Sequence, residues 1–231
     1  MSTLPALLTN EVRLQQRYGI YIAYGVVVLF YVVTLMYLAP FFPVWLPALI
    51  IYTDPAAVGF FFLGALMMLE KGQATRMALG VTPVSAFDYF SAKAISLAAI
   101  SIVAVTILSF LIPAGVNHVL LLTIALISSV QFIALGVPTA LYFKTVTSYL
   151  MGAAGILAPF VIPAGLAFLD QMPVWAMLWP PAADLRLIMV ATGAATNTGF
   201  EIAIMFAASL AGTTLAVWYA TKRLEEEFGR S

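Results

Sequence analysis

The sequence predicts an all-α integral membrane protein with six transmembrane helices. Three observations lead there. Of 231 residues, 63% are hydrophobic and only 9% charged, whereas soluble domains carry about 25% charged residues. Two long stretches hold no Asp, Glu, Lys or Arg: 36 residues over 18–53 and 50 residues over 94–143. The charges that remain are gathered. Residues 70–93, EKGQATRMALGVTPVSAFDYFSAK, hold five of the chain's 20 acidic and basic side chains in 24 positions. A soluble fold of this size cannot hide so much apolar surface, so lipid is the expected solvent.

Residues 3–17 predict an amphipathic helix lying in the membrane interface. Leu4, Leu7, Leu8, Val12 and Leu14 share one broad face and Thr9, Asn10, Arg13, Gln16 and Arg17 the other. Glu11 and Gln15 fall on the apolar arc and break the pattern. The apolar run that follows is much longer than the roughly 7–15 residues of a signal-peptide core, and Glu11, Arg13 and Arg17 precede it.

The first span is expected at 19–39, because two spans and a turn need more than 36 residues. An apolar outer segment broken by Pro40, Pro43 and Pro47 follows, with Phe41, Phe42 and Trp45 suited to the membrane interface. Asp54-Pro55 reads as a helix start, acid at the N-cap and proline at the first position. That leaves 15 residues before Glu70, about 22 Å of helix. Either the second span is short, or Glu70 and Lys71 lie at membrane depth, where an ionisable group is usually paired or functional.

Residues 70–93 then form an aqueous joint with its own helix, Thr82 as N-cap and Pro83 at the first position. The next stretch reads as a hairpin of spans at 94–112 and 119–142, with the turn at PAGVNH, 113–118, and Pro138 as a kink point. His118 reads as a satisfied turn histidine. A fifth span, 147–169, carries Gly152, Gly155 and Gly165, small residues that let helices approach closely in lipid. Trp175, Trp179, Pro180 and Pro181 argue against a clean crossing in 170–200. One or two short helices, re-entrant in the outer leaflet or lying on it, are expected there. A sixth span follows at 202–221, and the tail KRLEEEFGRS reads as frayed.

With both termini on one side, nine of ten basic residues share it: Arg13, Arg17, Lys71, Arg76, Lys93, Lys144, Lys222, Arg223 and Arg230. Only Arg186 lies opposite. By the positive-inside rule that side, with both termini and the 70–93 joint, is cytoplasmic.

Several chemistries are excluded. There are no cysteines and one histidine, so thiol catalysis and an ordinary transition-metal centre are not expected. Zero net charge gives no argument for nucleic acid. No G-x-x-x-x-G-K-[ST], H-E-x-x-H or G-x-S-x-G motif occurs. The chain is therefore not expected to be an enzyme or to hold ATP or any other cofactor.

The joint carries a more specific signal. Glu70-Lys71, Thr75, Thr82-Pro83-Val84 and Lys93 follow an acid-basic … Thr … Thr-Pro … Lys order. With the amphipathic lead-in, six spans and outer short helices, this resembles the membrane subunit of type-2 ABC exporters. Arg17-Tyr18-Gly19 before span one and Asp54-Pro55 before Gly59-Phe60-Phe61 look like the branch labelled fluoroquinolone-export permeases. Ala74 and Arg76-Met77 depart from the Gly and Leu-Glu often found in the family. The resemblance implies a single permease domain over 1–231 in the cell membrane. It implies a separate ATPase subunit that binds ATP, a second permease copy or relative, and outward movement of a partly apolar, fluoroquinolone-like small molecule.

The resemblance also assigns residues. The joint would be a coupling helix gripped by the ATPase, with Thr82 and Pro83 at its start, Phe87 and Phe90 as apolar anchors, and Asp88 and Lys93 as charged rim contacts. Glu70, Arg76 and Glu11 would brace the second span against the N-terminal helix. A stand-alone carrier or channel, and a non-transporting membrane scaffold, are the other readings the residues leave open.

Overall fold

The computed structural model describes residues 3–38, 41–72, 84–112 and 115–229. Every regular element among them is helical. Six helices are long and apolar enough to cross a membrane: Ile20–Leu38, Leu46–Glu70, Ala86–Ser109, His118–Tyr142, Val146–Phe168 and Gly199–Phe228.

Helix α1, Thr3–Arg17, ends at Gly19, whose φ of 69° is a left-handed conformation costly for any residue with a Cβ. The break lets α1 pack along the fourth helix while α2 departs as the first span. Span α2, Ile20–Val33 with a wider π-helical end Thr34–Leu38, presents Ile22, Val26, Leu29 and Phe30 outward. Such a face suits lipid.

The second span departs from expectation. Leu46–Ala56, the π-helical Ala57–Phe62 and Leu63–Gly72 run end to end as α3, so the crossing begins inside the long uncharged run. Pro47, rather than Pro55, occupies the helix start. Asp54-Pro55 lies within the helix and buried. Pro55 has no N–H to give, and the widened turn follows at once, a normal relief for a lost helical bond. Gly59 allows close contact with the helix His118–Tyr142: a Cβ there would meet the Ile133 backbone nitrogen at 3.0 Å.

Thr82 and Pro83 lie outside the described residues. Helix α4, Ala86–Ser109, starts at Ser85, whose hydroxyl accepts from the Asp88 N–H at 3.0 Å. Residues 86–93 are thus the first two turns of the third span, continuous with it. Helix α5, His118–Tyr142, is capped by Asn117 and passes through the middle of the bundle, packed on α3, α4 and the two last helices. His118 is its first residue rather than part of the turn, with Nδ1 3.2 Å from Ser109 Oγ. Pro138 lies within α5.

Helix α6 is Val146–Val161, ending in a 3₁₀ stretch Ile162–Phe168. Of its glycines, Gly152 packs tightly, against the Phe143 ring; Gly155 and Gly165 meet no neighbour within 4 Å. A single turn α7, Val174–Met177, leads to α8, Pro180–Ala191, where Pro180 and Pro181 occupy the helix start. Ten of the 12 residues of α8 are buried. The helix is about 18 Å long, too short to cross, and it is walled in by α3, α5, the 3₁₀ stretch and the last helix. Helix α8 is thus a short element enclosed by its neighbours. Arg186 anchors it, donating to Asn197 Oδ1 at 2.7 Å and to the carbonyls of Ala167 and Leu169 at 2.8 Å. Helix α9, Gly199–Phe228, opens with a Thr198/Glu201 capping box and stays helical through KRLEEEF, so the expected fraying does not occur over the described residues. The buried side chain of Leu224 holds that end in place.

Two glycines separate the conformational argument from simple space. Gly19→Ala should lower stability by about 1–2 kcal/mol, the left-handed penalty. Gly25→Ala, in a helix interior with open space around its Cβ position, should be neutral or stabilising. Thermal unfolding of both variants in one detergent provides the comparison.

Candidate functional site

The last turn of α3, the first turns of α4 and the middle of α1 meet at the joint end of the bundle. Along α4, residues 86, 89, 90, 93, 94 and 97 face inward, as a helical period of 3.6 dictates. That period turns Lys93 into the protein. Its side chain is 1% exposed. Its ammonium donates to Glu11 Oε1 at 2.8 Å and to Glu70 Oε1. The Tyr89 hydroxyl donates to Glu70 Oε2 at 2.6 Å, and the Lys93 ammonium lies 4.8 Å from the Tyr89 ring centre. One helical turn further along each helix, Gln15 Nε2 donates to Ser96 Oγ at 2.8 Å. The Tyr89 ring meets Phe228 edge-on at 5.7 Å, which brings in the end of α9.

Glu11 and Gln15, out of place on an amphipathic wheel, are thereby explained: they face α4 inside the protein. Glu11, Glu70 and Lys93 come together as a brace. Arg76, expected in that brace, lies outside the described residues. Two of the surface contacts expected for a partner do not face outward: Lys93 and Phe90 are both buried. Phe87 and Phe90, three residues apart, fall on opposite sides of the inward boundary, so only Phe87 is presented, 60% exposed. Asp88 is half-buried. Tyr89 and Ser96 were not singled out from the sequence, although the i,i+4 pair Glu11 and Gln15 on an apolar arc is the signal that points to a buried partner face.

The electrostatics are tight. Two carboxylates share one ammonium away from water. Burial pushes the Glu11 carboxyl above its ordinary range; Lys93 pulls it down and Glu70 pushes it further up.

A second feature reaches the last turns of α9. A cavity of about 850 Å³ lies between α5, α6, α8 and α9. Its walls are apolar and aromatic, with Phe60, Phe160 and Trp179 among them. Trp179 stacks on Phe160 with ring centres 6.0 Å apart and donates its indole N–H to the Phe160 carbonyl at 2.8 Å. Gln131 and Thr139 supply uncharged polar groups, and Arg223, Glu226 and Glu227 supply charge from the last turns of α9. Arg223 and Glu226 pair at 2.9 Å. An apolar chamber with a few polar groups is the usual form of a small-molecule site.

No family model matches the chain, and no solved structure does. Two curated relatives, each named a fluoroquinolones export permease protein, come from Mycobacterium tuberculosis strains CDC 1551 / Oshkosh and ATCC 25618 / H37Rv. Each is 26% identical over 132 residues, 57% of this chain and 53% of the relative. The chain therefore spans about half the length of the curated relatives it matches. It is a multi-pass membrane protein with a distant likeness to that export-permease branch.

Lys93→Met should cost about 3–5 kcal/mol, because it strands two buried carboxylates. Adding Glu11→Gln and Glu70→Gln should recover most of that loss, read as thermal unfolding of the single and triple variants. A raised folded-state pKa has a defined sign: the stabilising proton is present at low pH and is lost as pH rises through the raised value. Glu11→Gln should therefore flatten the decline in stability above the ordinary glutamate range, measured as unfolding temperature against pH.

Proposed function

We propose that this chain is the membrane-spanning permease subunit of an ATP-driven exporter, energised by a separate ATPase subunit at the joint between the second and third spans. The observation that carries the reading is the buried Glu11–Lys93–Glu70 brace. It ties α1, the end of α3 and the start of α4 into one unit beside the joint. A push on the joint then moves two spans and the interfacial helix together, since breaking the brace would expose unpaired charge in a dry site. The positive-inside count supports a cytoplasmic joint and cytoplasmic termini.

Within this reading Phe87 is the exposed apolar anchor for the ATPase, Asp88 a charged rim contact, and Thr82 and Pro83 the start of the docking segment in sequence. Lys93, Glu70 and Glu11 transmit force without touching the partner. Phe90 packs within the bundle rather than against the partner. Arg76 belongs to the joint. The cargo is a partly apolar small molecule of the fluoroquinolone kind. The aromatic cavity suits its rings, and the Arg223/Glu226 end suits a molecule bearing both signs of charge. A second permease copy, or a related permease, completes the pathway.

A stand-alone carrier driven by an ion gradient is the second reading. The fully buried carboxyl of Asp184 favours it.

Phe87→Arg should abolish export while the folded permease accumulates normally, since an exposed site tolerates the charge. Full export by this variant with an ATPase still bound would remove the docking assignment. Purification of the tagged chain in mild detergent should bring a P-loop ATPase with it. A chain that purifies alone and supports ion-driven flux in liposomes would favour the carrier instead.

A further inference from the structure

The chamber between α5, α6, α8 and α9 is elongated along the bundle. As the fourth and sixth crossings, α5 and α9 run in the same direction. Gln131 and Gly212 stand at one level: Gln131 Oε1 lies 3.7 Å from the place a Gly212 Cβ would take, and it accepts from Thr213 Oγ1 at 3.2 Å. From that level each helix lines the chamber for 11 residues, to Tyr142 on α5 and to Arg223 on α9, about 16 Å of helix. One leaflet is half of a hydrocarbon core about 30 Å thick. The chamber is therefore a groove with the depth of a single leaflet.

Its two ends differ. Among the described lining residues only Arg223, Glu226 and Glu227 are charged, and all three lie in the last turns of α9. The contact of Phe228 with Tyr89 places those turns beside the joint. The Lys222 ammonium lies 5.3 Å from the Trp218 ring centre and the Arg223 guanidinium 6.0 Å from that of Tyr219. Aromatic rings with cations beside them are the usual furniture of the headgroup level. At the deep end Pro180 lies against Gly212, next to the Trp179–Phe160 stack. Between the ends the lining is hydrocarbon in character. Gln131 Oε1 is taken by Thr213, and the Thr139 hydroxyl donates to the Leu135 carbonyl at 2.9 Å. Leu215 on α9 and Ile156 on α6, both in the lining, are exposed, so the groove opens sideways.

The charges select a headgroup. The Arg223–Glu226 pair is partly exposed, and such a pair is weak and readily shared with a ligand. A planar guanidinium suits a phosphate, and the two carboxylates suit an ammonium that can donate hydrogen bonds. One cation beside two carboxylates disfavours a purely anionic headgroup. A quaternary choline has no N–H to give them.

We propose that the groove holds one phosphatidylethanolamine from the joint-side leaflet. An acyl chain lies along α5 and α9 as far as the Trp179–Phe160 stack, with the phosphate on Arg223 and the ammonium on Glu226 and Glu227. The lipid fills the space between α6 and α9 and supports the start of α8 from below. This site does not depend on the energy source for transport, and a cargo using the same chamber displaces the lipid.

The full chain is washed free of lipid in mild detergent and titrated with phosphatidylethanolamine, phosphatidylglycerol or phosphatidylcholine of one acyl composition. Native mass spectrometry counts the bound lipids. Wild type should saturate a first site with one phosphatidylethanolamine, held about tenfold more tightly than either other lipid. Arg223→Gln, at an exposed position, should weaken that site about tenfold. Glu226→Gln/Glu227→Gln should erase the preference for ethanolamine over glycerol. Ala216→Trp, which fills the groove, should remove the first site and leave weakly held lipid unchanged. Should that variant fail to fold, the headgroup variants decide the question, since none replaces a buried residue. Graded binding with no first site, equal affinity for the three lipids, or a preference for phosphatidylglycerol would overturn the proposal. So would a first site that is unchanged in Arg223→Gln or survives in Ala216→Trp.

Discussion

One buried lysine holds three segments of this chain in register. Lys93 accepts the field of two carboxylates, Glu11 from the N-terminal helix and Glu70 from the end of the second span. Glu11 lies 82 residues from Lys93 in sequence, so the contact fixes topology rather than local shape. In a dry environment the alternative to this arrangement is an exposed charge in hydrocarbon, which is far costlier than a surface ion pair lost to water. The interfacial helix is thereby made part of the bundle. The polar atoms of Gln15 and Ser96 continue the same seam by one turn, and Tyr89 and Phe228 carry it to the end of the last span.

The bundle is otherwise held by close approach. In lipid there is little hydrophobic gain from burying one apolar face against another, so helix contact relies on packing and on interhelical hydrogen bonds. The widened turn after Pro55 meets α5 through Gly59 and Gly136. The Tyr149 hydroxyl reaches across from α6 to the Phe60 carbonyl in that same turn. On the far side Gly212 of α9 receives the Pro180 ring. These contacts place the start of α8 against the cavity. Pro55, Pro159 and Pro163 stand where the helix changes geometry.

Helix α8 gives the molecule its unusual interior. A helix of 12 residues with ten buried has no solvent face on which to place its polar side chains. Arg186 solves this by capping free carbonyls at the end of the 3₁₀ stretch, where backbone groups lack helical partners. Asp184 faces the opposite way, among hydroxyls from three spans. The Lys93 cluster, a chamber beside α8 and a buried carboxyl on α8 are thus built from neighbouring helices of one bundle.

The sequence by itself determined the solvent, the helical class and the number of crossings. Uncharged runs of 36 and 50 residues admit no other economical arrangement. It also marked the amphipathic start, the interior proline at 138 and a non-crossing segment after residue 170. Tertiary structure decided where polar groups face. Asp54-Pro55 has the local chemistry of a helix start, yet Tyr24 and Ser101 supply donors from other spans, so the helix runs through it. Lys93 has the local look of a solvated charge, yet its partners lie 23 and 82 residues away. Residues 180–191 look interfacial, with a tryptophan before them and paired prolines at their start, yet four neighbouring elements pack around them. Hydropathy along a chain records how polar a residue is; only the packed helices decide whether that polarity meets water, lipid or a partner side chain.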